Sequence, residues 1–287
     1  MPKRARDDAG RRAPKRARGT HQRHRTKLVN ALGEAPASGI FMSCARGKER
    51  KAGDDLLAIL ADQADALYGD VPLAHVDEDD MDALRNGPPP PPPAPADSRT
   101  AGGDIEAEIA GELRELAEPS APRFTVLDTE TECLCYVRCA PPLDAQRLVC
   151  AAAAEVAATG DARSRYVQRL SPVAGLCHAD MDSIRAYAAR ILPRYFSGTQ
   201  TFRIEPRIRA HTALARDDVI GAVARCVPPG HAADLVRPDV VVLVEVFRNV
   251  CGIGAVADYE RLGRLNLQTL AERTRSAGLQ AGAAPRT

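Results

Sequence analysis

Cations crowd one short stretch of this chain. In TFRIEPRIRAH, residues 201–211, Arg203, Arg207, Arg209 and His211 share a parity with Glu205, while Phe202, Ile204 and Ile208 fall on the other. A period of two predicts a strand with one face in a core and the other outside. Guanidinium groups spaced along such a face match phosphate oxygens in charge and in donor geometry, which is the chemistry of nucleic-acid backbone contact. An ordinary solvated strand face is the competing reading. Glu205 neutralises part of the charge. Pro206 has no N–H to give to a ladder, so it predicts an edge strand or a bulge.

Other residue types invite other chemistry. Cys133, Cys135 and Cys139 form C-x-C-x3-C. Zinc sites usually pair C-x2-C knuckles, so a core-facing strand is the stronger reading and no metal is expected. Catalysis finds little to work with. No GxGxxG follows a strand and no GxxxxGK[ST] occurs. Ser164 and Ser171 lie in no nucleophile-elbow context. His211 has no placed acid or nucleophile beside it. The expectation is a chain that is not an enzyme and binds no cofactor itself.

The cationic stretch must be positioned by its neighbours. Val240 to Phe247 is apolar at every position but Glu245, as in a strand covered on both faces. Arg248-Asn249 reads as a turn and Val250 to Val256 as the returning strand. Gly252 and Gly254 in that strand predict a bulge or a close backbone approach. Two helices are expected between the strands, with stripes at Met181, Ile184, Ala188, Ile191 and Leu192, and at Val219, Ile220, Val223, Ala224 and Val227. Asp217 and Asp218 suit the positive end of the second. Tyr259 to Leu270 has helical character, and the chain after Arg275 is expected to fray.

Upstream, residues 39–170 read as strand, helix, strand, strand, helix, strand once an insertion is set aside. That is the split βαβ order of a ferredoxin-like sheet. The insertion, about 69–103, holds an acidic cluster and the proline run Pro88 to Pro93, and is expected to be disordered. A helix at Ile105 to Leu116 follows it. Arg46, Lys48, Arg50 and Lys51 line a loop after the first strand, fit for phosphate or for solvent.

Net charge divides the chain. Residues 1–28 carry +9 and the remainder −8, for a total of +1. KRAR occurs at Lys3 and again at Lys15. With nothing apolar to pack, residues 1–38 are expected to be a disordered basic tail, serving nuclear import, RNA contact or solubility. No run approaches the about 20 apolar residues of a membrane span, and no export signal is expected at the N-terminus. The eight cysteines then read as reduced.

SRYVQRLSPVAGLCHA, a helix ending LPRYF, FRIEPRIRAHTALARDDVI, and VVVLVEVFRNVCGIGAVADYERLGRLNL stand in an order that resembles the eukaryotic THUMP-domain tRNA acetylation adaptors, the family of THUMP-domain-containing protein one. The resemblance runs from about Gly39 to Leu267. It implies an α+β chain: an N-terminal ferredoxin-like domain (39–170), an α/β THUMP domain (171–260), then a C-terminal helix and frayed tail (261–287). It further implies a non-catalytic adaptor that binds tRNA and presents it to a separate RNA cytidine acetyltransferase. That partner carries acetyl-CoA and ATP and makes N4-acetylcytidine in the D-arm of serine and leucine tRNAs. The nucleus, within it the nucleolus, is the expected compartment. Arg209 and His211 match the family's Arg-x-His. Arg203, Arg207, Arg216, Arg165, Arg169, Arg248 and Asn249 complete the expected RNA surface. Two other readings stay open: a THUMP-like RNA-binding assembly protein of ribosome biogenesis, and an enzyme in its own right.

Overall fold

The structure, a computed structural model, describes residues 28, 32, 38–69, 122–129 and 131–282. The KRAR repeats, the acidic and proline runs, the helix expected at Ile105 to Leu116 and residues 283–287 lie outside the described residues.

Alternation shapes the first strand, β1 (Gly39–Cys44): Ile40, Met42 and Cys44 face one way, Phe41 the other, and all four are buried. Helix α1 (Glu49–Tyr68) lays Leu56, Leu57, Leu60 and Ala64 against the first face. Strands β2 (Phe124–Leu127) and β3 (Leu134–Cys139) follow, then α2 (Ala145–Thr159) and β4 (Val167–Val173). Asp144 caps α2 by accepting the Arg147 amide at 2.9 Å. The four strands form an antiparallel sheet in the order β2-β3-β1-β4, the ferredoxin-like arrangement that the element order predicts. β4 pairs with β1 as far as Val173, so Ser171 to Val173 belong to this sheet and not to the one after it.

The second sheet contains β5 (Gly175–His178), β6 (Thr201–Arg209), β7 (Ala232–Ala233), β8 (Val240–Phe247) and β9 (Val250–Ala257), in the order β5-β9-β8-β6-β7. β6 runs parallel to both its neighbours, and the other pairs are antiparallel. Helices α3 (Met181–Ile191) and α4 (Arg216–Ala224) cover one face, where Ile184, Ala188, Val219 and Val223 meet Ile204, Val242 and Val244. Pro206 sits at an open edge as expected: β7 pairs only with Thr201 and Phe202, while the β6–β8 register is unbroken to Arg209.

The two sheets share a core. Val241, Leu243 and Val256, on the other face of the second sheet, join Ile40, Leu60 and Leu148 in one buried cluster. Each such side chain contributes about 1.5–3 kcal/mol of burial. Gly252 and Gly254 make the approach possible. A Cβ on Gly254 would stand 2.3 Å from Pro172 O, and one on Gly252 2.9 Å from Phe41. With the β8–β9 register continuous, these glycines mark a close backbone approach and not a bulge.

Three boundaries differ from expectation. Leu28, placed in the basic tail, is buried against Phe41, Leu127 and Tyr136, and its amide donates to Asp128 O at 3.1 Å. It is the first large aliphatic after the basic run, and the second face of the first sheet needs a cover. The helix expected from Tyr259 does not start there. Asp258, Gly263, Arg264 and Leu265 have φ of 56 to 62°, which no α-helix tolerates, and α5 (Leu267–Gly282) begins after them. α5 also continues past Arg275. It returns to the first sheet, with Leu270 and Ala271 in the shared core.

Candidate nucleic-acid interface

The cationic face of β6 is not open to solvent along its length. It turns toward β4 and the 258–265 turn. Arg207, 13% exposed, is fully engaged. Its guanidinium donates to Ser171 Oγ at 2.9 Å, Glu245 Oε1 at 2.8 Å, Glu205 Oε1 at 2.8 Å and the Tyr259 hydroxyl at 2.5 Å. Burial alone would lower its pKa, but Glu245 and Tyr259 outweigh that and hold it raised. Burial also raises the Tyr259 pKa, against the pull of Arg207. Arg203, 14% exposed, donates to Glu260 at 2.6 Å, Glu205 at 3.2 Å and Leu235 O at 3.1 Å. Glu205 therefore bridges the two arginines two residues to either side, a consequence of strand pitch. The expectation that this whole face points outward is corrected here: Arg207 is a strut between the two sheets, and Arg203 is held by Glu205, Glu260 and Leu235 O at the edge of the second.

The strand's end differs. Arg209 is partly exposed, and its side chain makes no hydrogen bond or ion pair among the described residues. Ala210, at φ 50°, turns the chain back so that His211 meets the β8–β9 turn. His211 Nδ1 lies 2.6 Å from Arg248 O. A carbonyl only accepts, so Nδ1 carries a proton, and Nε2 is left buried with no partner among the described residues. Neutral, that nitrogen accepts from a hydroxyl such as a ribose 2′-OH; protonated, it donates to phosphate. Arg248 N donates to Arg209 O at 3.2 Å, and Arg248, at φ 48°, stacks its guanidinium on Phe247 at 5.6 Å. Asn249 is exposed beside it. The fold thus brings Arg209, His211, Arg248 and Asn249 to one corner.

The remaining expected residues lie around this corner or away from it. Arg169 lines a crevice with Arg209, Ser43 and Glu245, and its Nε is buried without a partner among the described residues. Arg216 donates to Pro206 O at 2.5 Å and lines an open concavity with Arg203, Arg207 and Arg264. Arg165 is exposed at the start of β4, near the loop of Arg46, Lys48, Arg50 and Lys51: Ala45 N donates to Tyr166 O at 3.2 Å, and Lys51 Nζ stands 5.9 Å from the Tyr166 ring. Glu245, Glu260, Tyr259 and Ser171 escaped the sequence reading as partners. Glu245 had a signal, being the one charge in an apolar strand, which demands a buried counter-ion. The cysteines are all free, and no group of three or more metal-ligating side chains occurs among the described residues. Burial lifts the thiol pKa of Cys135 to about 12. No helix among the described residues is long and apolar enough to cross a membrane.

This geometry coincides with what the chain is similar to. A family profile described as the THUMP domain matches residues 178–256, from the end of β5 through nearly all of β9. An uncharacterized protein of Schizosaccharomyces pombe is 27% identical over 239 residues, 82% of this chain and 76% of that one. Mouse THUMP domain-containing protein 1 is 25% identical over 82% of this chain, and the match spans 65% of the mouse protein, just under two thirds. A Saccharomyces cerevisiae protein named tRNA acetyltransferase TAN1 is 24% identical over 280 residues, 88% of this chain and 91% of that one. Among solved structures, PH1313 from Pyrococcus horikoshii aligns with 77% of this chain and 55% of its own, at 12% identity and a TM-score of 0.38, too low to carry an argument. The chain therefore carries a THUMP domain over residues 178–256, and over most of its length it is similar, at moderate identity, to THUMP domain-containing protein 1 and its yeast relative.

Proposed function

We propose that the chain is a non-catalytic adaptor that binds tRNA and presents it to a separate RNA cytidine acetyltransferase. The product is N4-acetylcytidine in the D-arm of serine and leucine tRNAs. The partner enzyme carries acetyl-CoA and ATP. The observation that supports this most is the corner at the end of β6. Among the described residues Arg209 is uncommitted there and a His211 nitrogen has no partner, and Arg248 and Asn249 stand on a tight turn beside them. Folded RNA is read by shape, through phosphates and 2′-hydroxyls, and this corner offers donors and an acceptor for both.

Acetylation of tRNA comes to the reading from the yeast relative, whose name assigns that activity to it. Acetyl transfer is assigned to a partner because the sequence carries no ATP-phosphate loop and because Arg203, Arg207, Glu245 and Tyr259 are consumed in pairing with one another and with Glu260. The basic segment of residues 1–28 supports a nuclear, and within it nucleolar, location.

Deleting the gene in its host and measuring N4-acetylcytidine by mass spectrometry tests the reading, with ribosomal RNA as internal control. Loss from tRNA with ribosomal acetylation intact is the expected result. Unchanged tRNA acetylation would overturn it and leave an RNA-binding assembly protein. Purified chain that acetylates tRNA alone, given acetyl-CoA and ATP, would overturn the non-catalytic part.

A further inference from the structure

Two thiols face each other beside the RNA corner. Strand β5 is an edge of the second sheet and, among the described residues, pairs with β9 alone. In that pairing Cys177 stands directly opposite Cys251, so both side chains lie on the same face of the sheet. That face is the one covered by helices. Cys251 is buried in the core there, and Cys177, at the rim, is half-buried. The two thiols are in hydrogen-bond contact, and that contact, ahead of burial, holds the Cys251 pKa above the usual thiol range.

The register sets how near they are. Ala179 N donates to Asn249 O at 2.9 Å, which makes these two a hydrogen-bonded pair. Such pairs alternate along an antiparallel ladder, so Cys177 and Cys251 form the next one. Cα atoms in such a pair are about 5.5 Å apart, inside the window of about 4.4–6.8 Å that a disulfide spans. Their Cβ atoms are also about 5.5 Å apart, against about 3.8 Å in a disulfide, so closing the bond draws the strands together locally. β9 is held on its other side by β8, whereas β5 is a four-residue edge, so β5 is the strand that moves. It ends at the corner. Ala179, one residue past it, holds Asn249 O, and Arg248 O, the neighbouring carbonyl, orients His211. A shift of β5 at Cys177 is therefore felt at the β8–β9 turn.

We propose that Cys177 and Cys251 are an oxidisable pair whose disulfide weakens RNA binding at the neighbouring corner; the second half of this rests on the RNA reading above. The oxidant is a peroxide. The Cys177 thiolate, the more exposed of the two, attacks one peroxide oxygen. An S–O bond forms, the O–O bond breaks, and the hydroxide that leaves takes up the thiol proton as water. The Cys251 sulfur then attacks the sulfenic sulfur of Cys177. The S–S bond forms, the S–O bond breaks, and hydroxide leaves with the Cys251 proton as a second water. The two thiols together give two electrons to the peroxide.

The test uses the full chain, hydrogen peroxide and tRNA. Free thiols are counted in the folded protein, the linkage is read by peptide mass mapping, and tRNA affinity by fluorescence anisotropy. Peroxide should link Cys177 to Cys251. Affinity for tRNA should then fall about tenfold, as for one lost hydrogen bond to a charged group, and should recover on reduction with dithiothreitol. The double variant Cys177→Ala, Cys251→Ala, treated alike, should keep its affinity. Both thiols still free after peroxide, or either one linked elsewhere, would overturn the pair. A Cys177–Cys251 disulfide with unchanged tRNA affinity would overturn its action on the corner, as would an equal fall in the double variant. Reduced wild-type chain that does not bind tRNA would overturn the RNA reading and the consequence with it, while a mapped disulfide would still stand.

Discussion

Arg207 and Arg209 are two residues apart on the same face of the same strand, yet they have opposite fates. Arg207 reaches Ser171, Glu245, Glu205 and Tyr259 from inside the junction of the two sheets. Arg209 stands where that junction ends and keeps its charge uncommitted among the described residues. What differs is the opposing surface. Opposite Arg207 lie β4 and the Tyr259 turn; beside Arg209 the chain reverses at Ala210 toward the β8–β9 turn. Density of arginine along a strand therefore does not measure the charge offered to RNA. Only the groups left over after internal pairing do.

The largest effect should come from breaking the interior half of the comparison. Arg207→Ala strands Glu245, 5% exposed at its side chain, without its counter-ion. Truncating one partner of a buried pair costs about 3–5 kcal/mol, read as a lower midpoint in urea unfolding. Adding Glu245→Gln should recover part of that loss, because the stranded charge is gone. A loss below about 1 kcal/mol would place Arg207 among surface pairs and end the strut account. Next in size is Gly254→Ala. Its Cβ meets backbone, Pro172 O at 2.3 Å, and nothing flexible can give way. Overpacking of this kind costs about 1–3 kcal/mol, and a thermal melt at wild-type temperature would contradict the close approach of the sheets.

Smaller still is the acid limb. Glu260 is held below the ordinary glutamate pKa, first by the hydrogen bond from Arg264 and also by Arg203, against a little burial. A depressed folded pKa means stability present above the unfolded value and lost as pH falls through the folded one. Glu260→Gln should therefore be slightly less stable near neutral pH and less acid-sensitive below the ordinary glutamate pKa. Parallel stability curves for the two proteins would show that the rim of the network contributes nothing.

Much of this was legible beforehand, for identifiable reasons. The alternation of residues 202–208 made β6 a strand, and Pro206 signalled an edge or a bulge there, of which the structure has the edge. Gly252 and Gly254 announced a bulge or a close approach, and the sheets' contact made it the second. The turn at Arg248 and Asn249 and the order of the first sheet followed from pattern. The covering of β6's second face did not, because period two separates two faces without saying what lies over either. That cover comes from Ser171 and Tyr259, 36 and 52 residues away in the chain. Leu262, Leu265 and Leu270 mimicked a helical stripe across a left-handed turn that spacing alone does not reveal. Leu28 was hidden by the charge around it.

The central claim, that RNA meets Arg209 and the adjoining β8–β9 turn at the end of β6, is tested most directly by the salt dependence of tRNA binding in the double variant Arg209→Ala, Arg248→Ala. Each phosphate contact removed should lower the slope of log K against log salt by about 1, with weaker binding and an unchanged melting temperature. A double variant with wild-type affinity and wild-type slope would contradict the account.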